Sequence, residues 1–338
     1  MTPAGARSWQ QAGVRGAMRH ILRPQLQHLP LSGASLDYLR GIVALTGRLM
    51  AVPSIGSVRD SLHAPVAESG SAARAGERVI GEWTIAPEAA TDPRDGVVLY
   101  LHGGGYVLGS PRSARPTCAV LSHHAQVPVF AAGYRRAPEH THPAAFEDIA
   151  AAHRWLRDQG VPAERVVLAG DSAGAHLALS LALDLVAQGE PAPAGLLLFS
   201  PVLDPLGEHG PSADPLLSPQ FAERAAQAVL GETAGDDPSV MLLATSAQTF
   251  ARLAPVHTSV GATEHFRPDS ERLHEQLEGV GVPHELHVRP RGLHSDVMFG
   301  RFVPEAHEAL VDGARFVRDR VAAAGAQPLL AHTTQETR

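Results

Sequence analysis

The pentapeptide Gly170-Asp171-Ser172-Ala173-Gly174 is the first place in this chain where residue types and spacing are suited to covalent chemistry. Four apolar residues, Val166 to Ala169, lead into it, and an Ala- and Leu-rich run from Ala173 to Ala187 follows at once. That order reads as strand, sharp turn and helix, the setting of a G-x-S-x-G nucleophile elbow. Ser172 at the tip of such a turn points away from the sheet at a helix N-terminus, where negative charge is favoured. The glycines have a steric purpose, because strand and helix nearly touch there and leave no room for a Cβ. The chemistry implied is acyl transfer, in which a hydroxyl attacks a carbonyl carbon. It requires a base, a carboxylate to orient that base, and donors for an oxyanion.

Behind an elbow of this kind the partners follow in the order acid, then histidine, which confines the search to residues after 172. Among 19 histidines, His294 stands out because it lies in a loop just beyond the last expected strand, Glu285 to Arg289. His257 and His287 fall inside strands, His274 falls within a helix, and His284 starts a strand at the opposite sheet end. His265 also follows a strand C-terminus, where ligands meet open sheets, but His294 has the free carboxylates upstream of it. Glu264, immediately beyond the strand ending near Val260, is the expected acid. Asp269, which reads better as a first-turn helix residue after Pro268, and Asp204 remain as alternatives. For the oxyanion, His102-Gly103-Gly104-Gly105 follows a buried apolar strand, and its glycines allow backbone N–H groups to face the site together with that of Ala173. His102 itself is expected to position rather than react. The single cysteine, Cys118, falls in an apolar helical pattern and reads as a buried structural thiol.

The elements that must position these groups alternate regularly. Apolar runs at Gly96 to Leu101, Val127 to Ala132, Arg165 to Ala169, Gly195 to Phe199, Leu253 to Val260 and Glu285 to Arg289 predict strands. Helices are predicted at Pro116 to Ala125, Pro143 to Gln159, Ala173 to Ala187, Asp269 to Glu278 and Glu305 to Ala324. The alternation predicts an α/β class with a mostly parallel, doubly wound sheet. Arg78 to Ile85 reads as an edge strand, and Pro53 to Gly76 as a connection without clear periodicity. Residues 1–30 read as partly helical and poorly anchored, and Ser35 to Leu49 as a helix. About 50 residues rich in Pro, Gly and Asp separate Ser200 from the strand near Val256, with one good helix at Gln220 to Leu230; so long a connection is expected to act as a lid. The division that follows is an N-terminal helical cap segment and connection at 1–75, a core at 76–205, an inserted cap at 206–250, the rest of the core at 251–325, and a tail at 326–338.

The 338 residues, 44% of them hydrophobic, suffice for one large domain with an added cap. A net charge of -7 without any basic run argues against nucleic acid as a partner. All 28 basic residues are arginine, so Schiff-base and lysine-base chemistry are excluded. One cysteine excludes an internal disulfide and fits a reducing, cytoplasmic setting. No apolar stretch is long enough to cross a membrane. The basic arm of Arg7, Arg15, Arg19 and Arg23 lacks the apolar core of a secretory signal; it suits a cap-packing or solvated helix better than a membrane contact. No cofactor or metal is expected, and a homodimer is plausible through exposed edge strands.

Four segments together carry a resemblance: Leu101-His102-Gly103-Gly104-Gly105-Tyr106-Val107-Leu108-Gly109-Ser110, Tyr134-Arg135-Arg136-Ala137-Pro138-Glu139-His140, the Gly170–Gly174 elbow, and Ser200-Pro201-Val202-Leu203-Asp204. From about residue 80 to 320 the chain resembles the hormone-sensitive-lipase-like family of α/β-hydrolase carboxylesterases. The resemblance implies the α/β-hydrolase fold with a helical cap, a small-molecule ester substrate, and a Ser172–Glu264–His294 triad. It also implies an oxyanion hole from Gly104, Gly105 and Ala173. Most relatives use Asp as the acid; a subgroup resembling Gly261-Ala262-Thr263-Glu264 uses Glu. Two residues depart from the family pattern, Gly133 for a usual acid and Arg136 for a usual leucine, and both bear on local packing more than on catalysis. The expected activity is hydrolysis of short-to-medium acyl esters. A tailoring enzyme of the same fold (deacylase, lactonase, dehydratase or cyclase) and a non-catalytic small-molecule receptor are the alternatives.

Overall fold

Val97–Leu101, Val166–Asp171 and Gly195–Phe199 are continuous apolar runs, and they are buried along nearly their whole length, as strands covered on both faces must be. The computed structural model describes residues 8–50, 62–69, 78–207, 209, 213–231 and 239–326. Eight strands form one sheet: β1 (Leu62–Ser69), β2 (Arg78–Ile85), β3 (Val97–Leu101), β4 (Val129–Gly133), β5 (Val166–Asp171), β6 (Gly195–Phe199), β7 (Val256–Gly261) and β8 (His284–Arg289). Their order is β1-β2-β4-β3-β5-β6-β7-β8. β2 is antiparallel to both of its neighbours, and every other pairing is parallel. The C-terminal ends of β3, β5, β6, β7 and β8 therefore lie along one edge of the sheet, the edge at which open α/β sheets bind ligands.

Ten α-helices are found among the described residues: α1 (Trp9–Ala17), α2 (Arg23–His28), α3 (Gly33–Met50), α4 (Arg115–Ala125), α5 (Ala144–Asp158), α6 (Ala173–Gln188), α7 (Pro219–Leu230), α8 (Ala247–Phe250), α9 (Arg267–Val280) and α10 (Pro304–Ala326). The strands alternate their side chains between two faces. Leu99, Leu101, Leu196 and Leu198 join Ile149, Trp155, Leu177 and Leu273 of α5, α6 and α9 on one side. Val98, Tyr100, Leu197 and Phe199 join Leu121, Leu310 and Val317 of α4 and α10 on the other, where Cys118 is fully buried.

Two expectations need correction. Arg78–Ile85 is not an edge strand, because Leu62–Ser69, read as part of an irregular connection, pairs along its whole length. Pro65 and two alanines had hidden that strand; proline is tolerated there because β1 is the outermost strand. From Ser8 onward the N-terminal arm is not poorly anchored either; residues 1–7, Arg7 among them, lie outside the described residues. Residues 9–28 are helical, and the main-chain N–H and the hydroxyl of Ser8 both donate to the Glu305 carboxylate at 2.7 Å. Those anchors are polar, and a search for apolar periodicity passes over them. Of the long connection, Gly210, Pro211, Gly235 and Pro238 lie outside the described residues, as do residues 327–338 of the expected tail and most of Pro53 to Gly76.

Candidate active site

Ser172 joins β5 to α6 with φ 53° and ψ -120°, a strained conformation for a residue with a Cβ. The crowding around it explains the glycines. A Cβ on Gly174 would collide with the carbonyl of Leu101, and one on Gly170 with the backbone of Gly174. The Ser172 amide donates to Phe199 at 2.9 Å, tying the elbow to β6.

Nε2 of His294 lies 2.8 Å from the Ser172 hydroxyl oxygen, and its Nδ1 lies 2.9 Å from Oε2 of Glu264. All three side chains are buried. A carboxylate facing Nδ1 places the ring proton there and leaves the Nε2 lone pair towards the serine. The other oxygen of Glu264 accepts from the Ser200 hydroxyl at 2.9 Å and from the Gly261 amide. Ser200 in turn accepts from the Ser295 amide at 3.1 Å, so one hydroxyl links the acid to the histidine loop. Burial by itself would push the His294 pKa down, but the hydrogen bond and charge of Glu264, together with the charges of Asp214 and Asp171, outweigh it and hold that pKa above its ordinary value.

The glycine loop after β3 is held by Asp171, whose Oδ1 accepts from the Gly103 amide at 2.9 Å and from the Tyr100 hydroxyl at 2.7 Å. Burial raises the Asp171 pKa against these bonds. Gly103 has thus committed its amide, whereas those of Gly104, Gly105 and Ala173 donate to no group among the described residues. Gly104 and Gly105 have φ +122° and +59°, which turns the loop in a way that favours glycine. His102 lies beneath, stacked on Tyr134 with ring centroids 4.2 Å apart, and burial lowers its pKa to about 4. The Tyr134 hydroxyl donates to the His102 carbonyl at 2.6 Å. A neutral, stacked imidazole bonded to its own loop (Nδ1 lies 2.9 Å from the Gly103 carbonyl oxygen) suits a support for the glycines.

The alternative acids are engaged elsewhere. Asp269 accepts from the Leu203 and Asp204 amides at 2.8 and 2.9 Å and pairs with His209 at 2.9 Å. Asp204 faces Arg272 at 3.5 Å. The His265 ring lies tilted against His209 and edge-on to Phe266, and its amide, rather than its ring, bonds Asp214. One group among the described residues has the composition of a metal site: His257, Glu285 and His287, on the first residues of β7 and in β8, away from Ser172. Its imidazoles are stacked, with planes 25° apart, and one oxygen of Glu285 lies 3.0 Å from Nδ1 of His257 and 3.4 Å from Nε2 of His287, so the three groups already bond one another. Asp171, Ser200 and Tyr134 lie in motifs that mark the loops, but their roles needed the spatial neighbours to become visible. Arg136, one of the two departures, donates to the Gly109 carbonyl at 2.6 Å and so closes the far end of the glycine loop.

Above Ser172 and His294 is a cavity of about 160 Å³ whose walls are almost entirely apolar. Met18, Leu22, Leu39 and Ile42 come from the N-terminal helices, Phe221 and Ala225 from α7, and Phe266 and Phe299 from the core. Among the described residues no arginine lines it. A larger cleft, about 1400 Å³, lies between β4, α5 and α6, but it includes neither Ser172 nor His294. No helix among the described residues is long and apolar enough to cross a membrane.

Residues 98–298 match a family model described as an alpha/beta hydrolase fold. The esterase LipI of Mycobacterium tuberculosis is 32% identical over 308 residues, which span 88% of this chain and 93% of that protein. An acetyl-hydrolase of Streptomyces hygroscopicus is 37% identical over 227 residues, covering 65% of this chain and 75% of the other. Among solved structures, an esterase from the bacterial hormone-sensitive lipase family superposes with a TM-score of 0.78 at 29% identity, covering 94% of this chain and 99% of that one. The chain belongs to the α/β-hydrolase fold family and, within it, to the hormone-sensitive-lipase-like carboxylic-ester hydrolases.

Proposed function

We propose that this esterase cleaves short-to-medium acyl esters through an acyl-enzyme on Ser172, with His294 as base and Glu264 as the acid that orients it. The observation that carries the reading is the continuous chain from the serine hydroxyl through His294 to Glu264, at 2.8 and 2.9 Å. His294 takes the hydroxyl proton as Oγ attacks the ester carbonyl carbon. The amides of Gly104, Gly105 and Ala173 receive the oxyanion, and the imidazolium, steadied by Glu264, then protonates the leaving alkoxide. Water attacks the acyl-enzyme with His294 again as base, releasing the acid. Each oxyanion donor is worth about a hundred- to a thousandfold in rate. The N-terminal helices and, from the 206–250 insertion, α7 with Leu216 and Leu217 before it act together as the cap that walls the substrate site.

The cavity supports apolar, uncharged substrates. In a p-nitrophenyl ester series starting from acetate, kcat/KM should rise by up to about fourfold per added methylene until the cavity is filled, then fall. A flat series, or a preference for charged acyl groups, would contradict this reading.

The pH profile supplies a second test. The base must be neutral to act, so kcat/KM falls as pH drops through the His294 pKa of the free enzyme. Because Glu264 holds that pKa above its ordinary value, the acidic limb should have its midpoint above about 6.5. A midpoint well below that value would contradict the pairing.

A further inference from the structure

Gln11, in the first turn of α1, is fully buried although nothing in its sequence surroundings marks it. Its side-chain Nε2 donates to the Arg291 carbonyl at 2.7 Å and reaches Oδ2 of Asp296 at 3.4 Å. Both partners are acceptors, which fixes the orientation of the amide; a flipped amide would set oxygen against oxygen. Residues 291 and 296 bracket the loop that carries His294. Asp296 accepts from the Leu293 amide inside that bracket at 2.9 Å and from Arg289, at the end of β8, at 2.7 Å. Met18, the residue after α1, shares a buried apolar cluster with Leu293, the residue before His294. The helix is itself seated from outside by Ser8 on Glu305, with Trp9 edge-on to Phe302 at 5.6 Å.

From this arrangement we infer that Gln11 is a positioning residue for His294, acting through the 291–296 loop and making triad geometry depend on the seating of the N-terminal helix. The same segment thus has two separable roles. Met18 and Leu22 line the substrate cavity, while Gln11 does not reach it and holds the histidine loop from behind. When α1 is seated, the loop has its full set of bonds and Nε2 of His294 stands at hydrogen-bond distance from the serine. When α1 lifts, the Arg291 carbonyl loses its donor, the loop loosens, and the cavity loses one wall at the same time. Productive attack is therefore confined to the state in which substrate is enclosed. This inference rests on the Ser172–His294 reading above.

The test is Gln11→Leu, which keeps size and removes the donors, alongside Gln11→Glu, which turns a carboxylate on the Arg291 carbonyl and Asp296. Displacing a catalytic group by about an ångström costs up to about a hundredfold. Gln11→Leu should therefore lower kcat on p-nitrophenyl butyrate by ~10–100-fold with KM little changed. Inactivation by a fluorophosphonate, which also needs His294 against Ser172, should slow in parallel, and Gln11→Glu should lose at least as much. Wild-type kcat and inactivation rate in a folded Gln11→Leu protein overturn the inference, as does a rise in KM alone, which indicates a cavity-wall role. Failure of both variants to fold also overturns it, assigning Gln11 to stability. Activity surviving Ser172→Ala sinks the triad reading instead, so the two failures are distinguishable.

Discussion

Replacing Ser172 with alanine should lower kcat for p-nitrophenyl butyrate by about a millionfold, to the residual rate that oxyanion donors and binding alone sustain. The size of the effect follows from how little else in the cavity is able to attack a carbonyl. Cys118 is fully buried in α4 and its thiol pKa is raised by burial, so no thiolate stands in. The chain contains no lysine. Ser113, Thr117 and Ser295 also line the cavity, but His294 points its Nε2 at Ser172 alone. KM should change little, because the hydroxyl contributes to the transition state far more than to ground-state binding. The fold should survive as well, since alanine and serine both carry a Cβ and meet the same backbone strain at φ 53°. Circular dichroism and the thermal midpoint check that the loss is chemical.

Glu264→Gln is the second large effect. It keeps the volume and the contact with Ser200 while removing the charge, and an amide facing Nδ1 favours the ring tautomer with its proton on Nε2, where it cannot accept from serine. The expected loss in kcat is about 10³–10⁴-fold. The acidic limb of kcat/KM should also move down, because Glu264 makes the largest of the contributions that oppose burial at His294. The competing acids should behave differently. Asp204→Asn, on a side chain that faces Arg272, should leave kcat within a few-fold of wild type. Asp269→Ala should act on stability, by about 3–5 kcal/mol, because it strands the buried amides of Leu203 and Asp204 together with His209. A kcat collapse in Asp269→Asn with Glu264→Gln nearly unaffected would reverse the assignment of the acid.

The core of the fold was legible because its central strands β3, β5 and β6 are nearly continuous apolar runs, and such runs leave few alternatives to a parallel sheet covered on both faces. The groups now found together at the sheet's C-terminal edge were legible for a related reason. An elbow, a glycine loop and the residues directly after β7 and β8 are places where chain direction, once the strands are assigned, dictates proximity. Illegible were the interactions that depend on polar groups meeting across long sequence separations. Ser200 links Glu264 to the 294 loop, Asp171 holds Gly103, and Gln11 holds the 291 carbonyl, 280 positions away. A lone Gln or Ser in an amphipathic segment has no periodicity to announce a buried partner. β1 was missed on similar grounds, since Leu62–Ser69 has neither alternation nor β-branched density and owes its strand state to pairing with β2.

The most direct test of the covalent mechanism is to inactivate the wild-type enzyme with a fluorophosphonate and map the adduct by peptide mass spectrometry. The account predicts one phosphonyl group per chain, on the peptide carrying Ser172, with activity lost in proportion to its formation and no labelling of Ser172→Ala. An active enzyme that takes up no label, or that is inactivated by modification at any other residue, would contradict it.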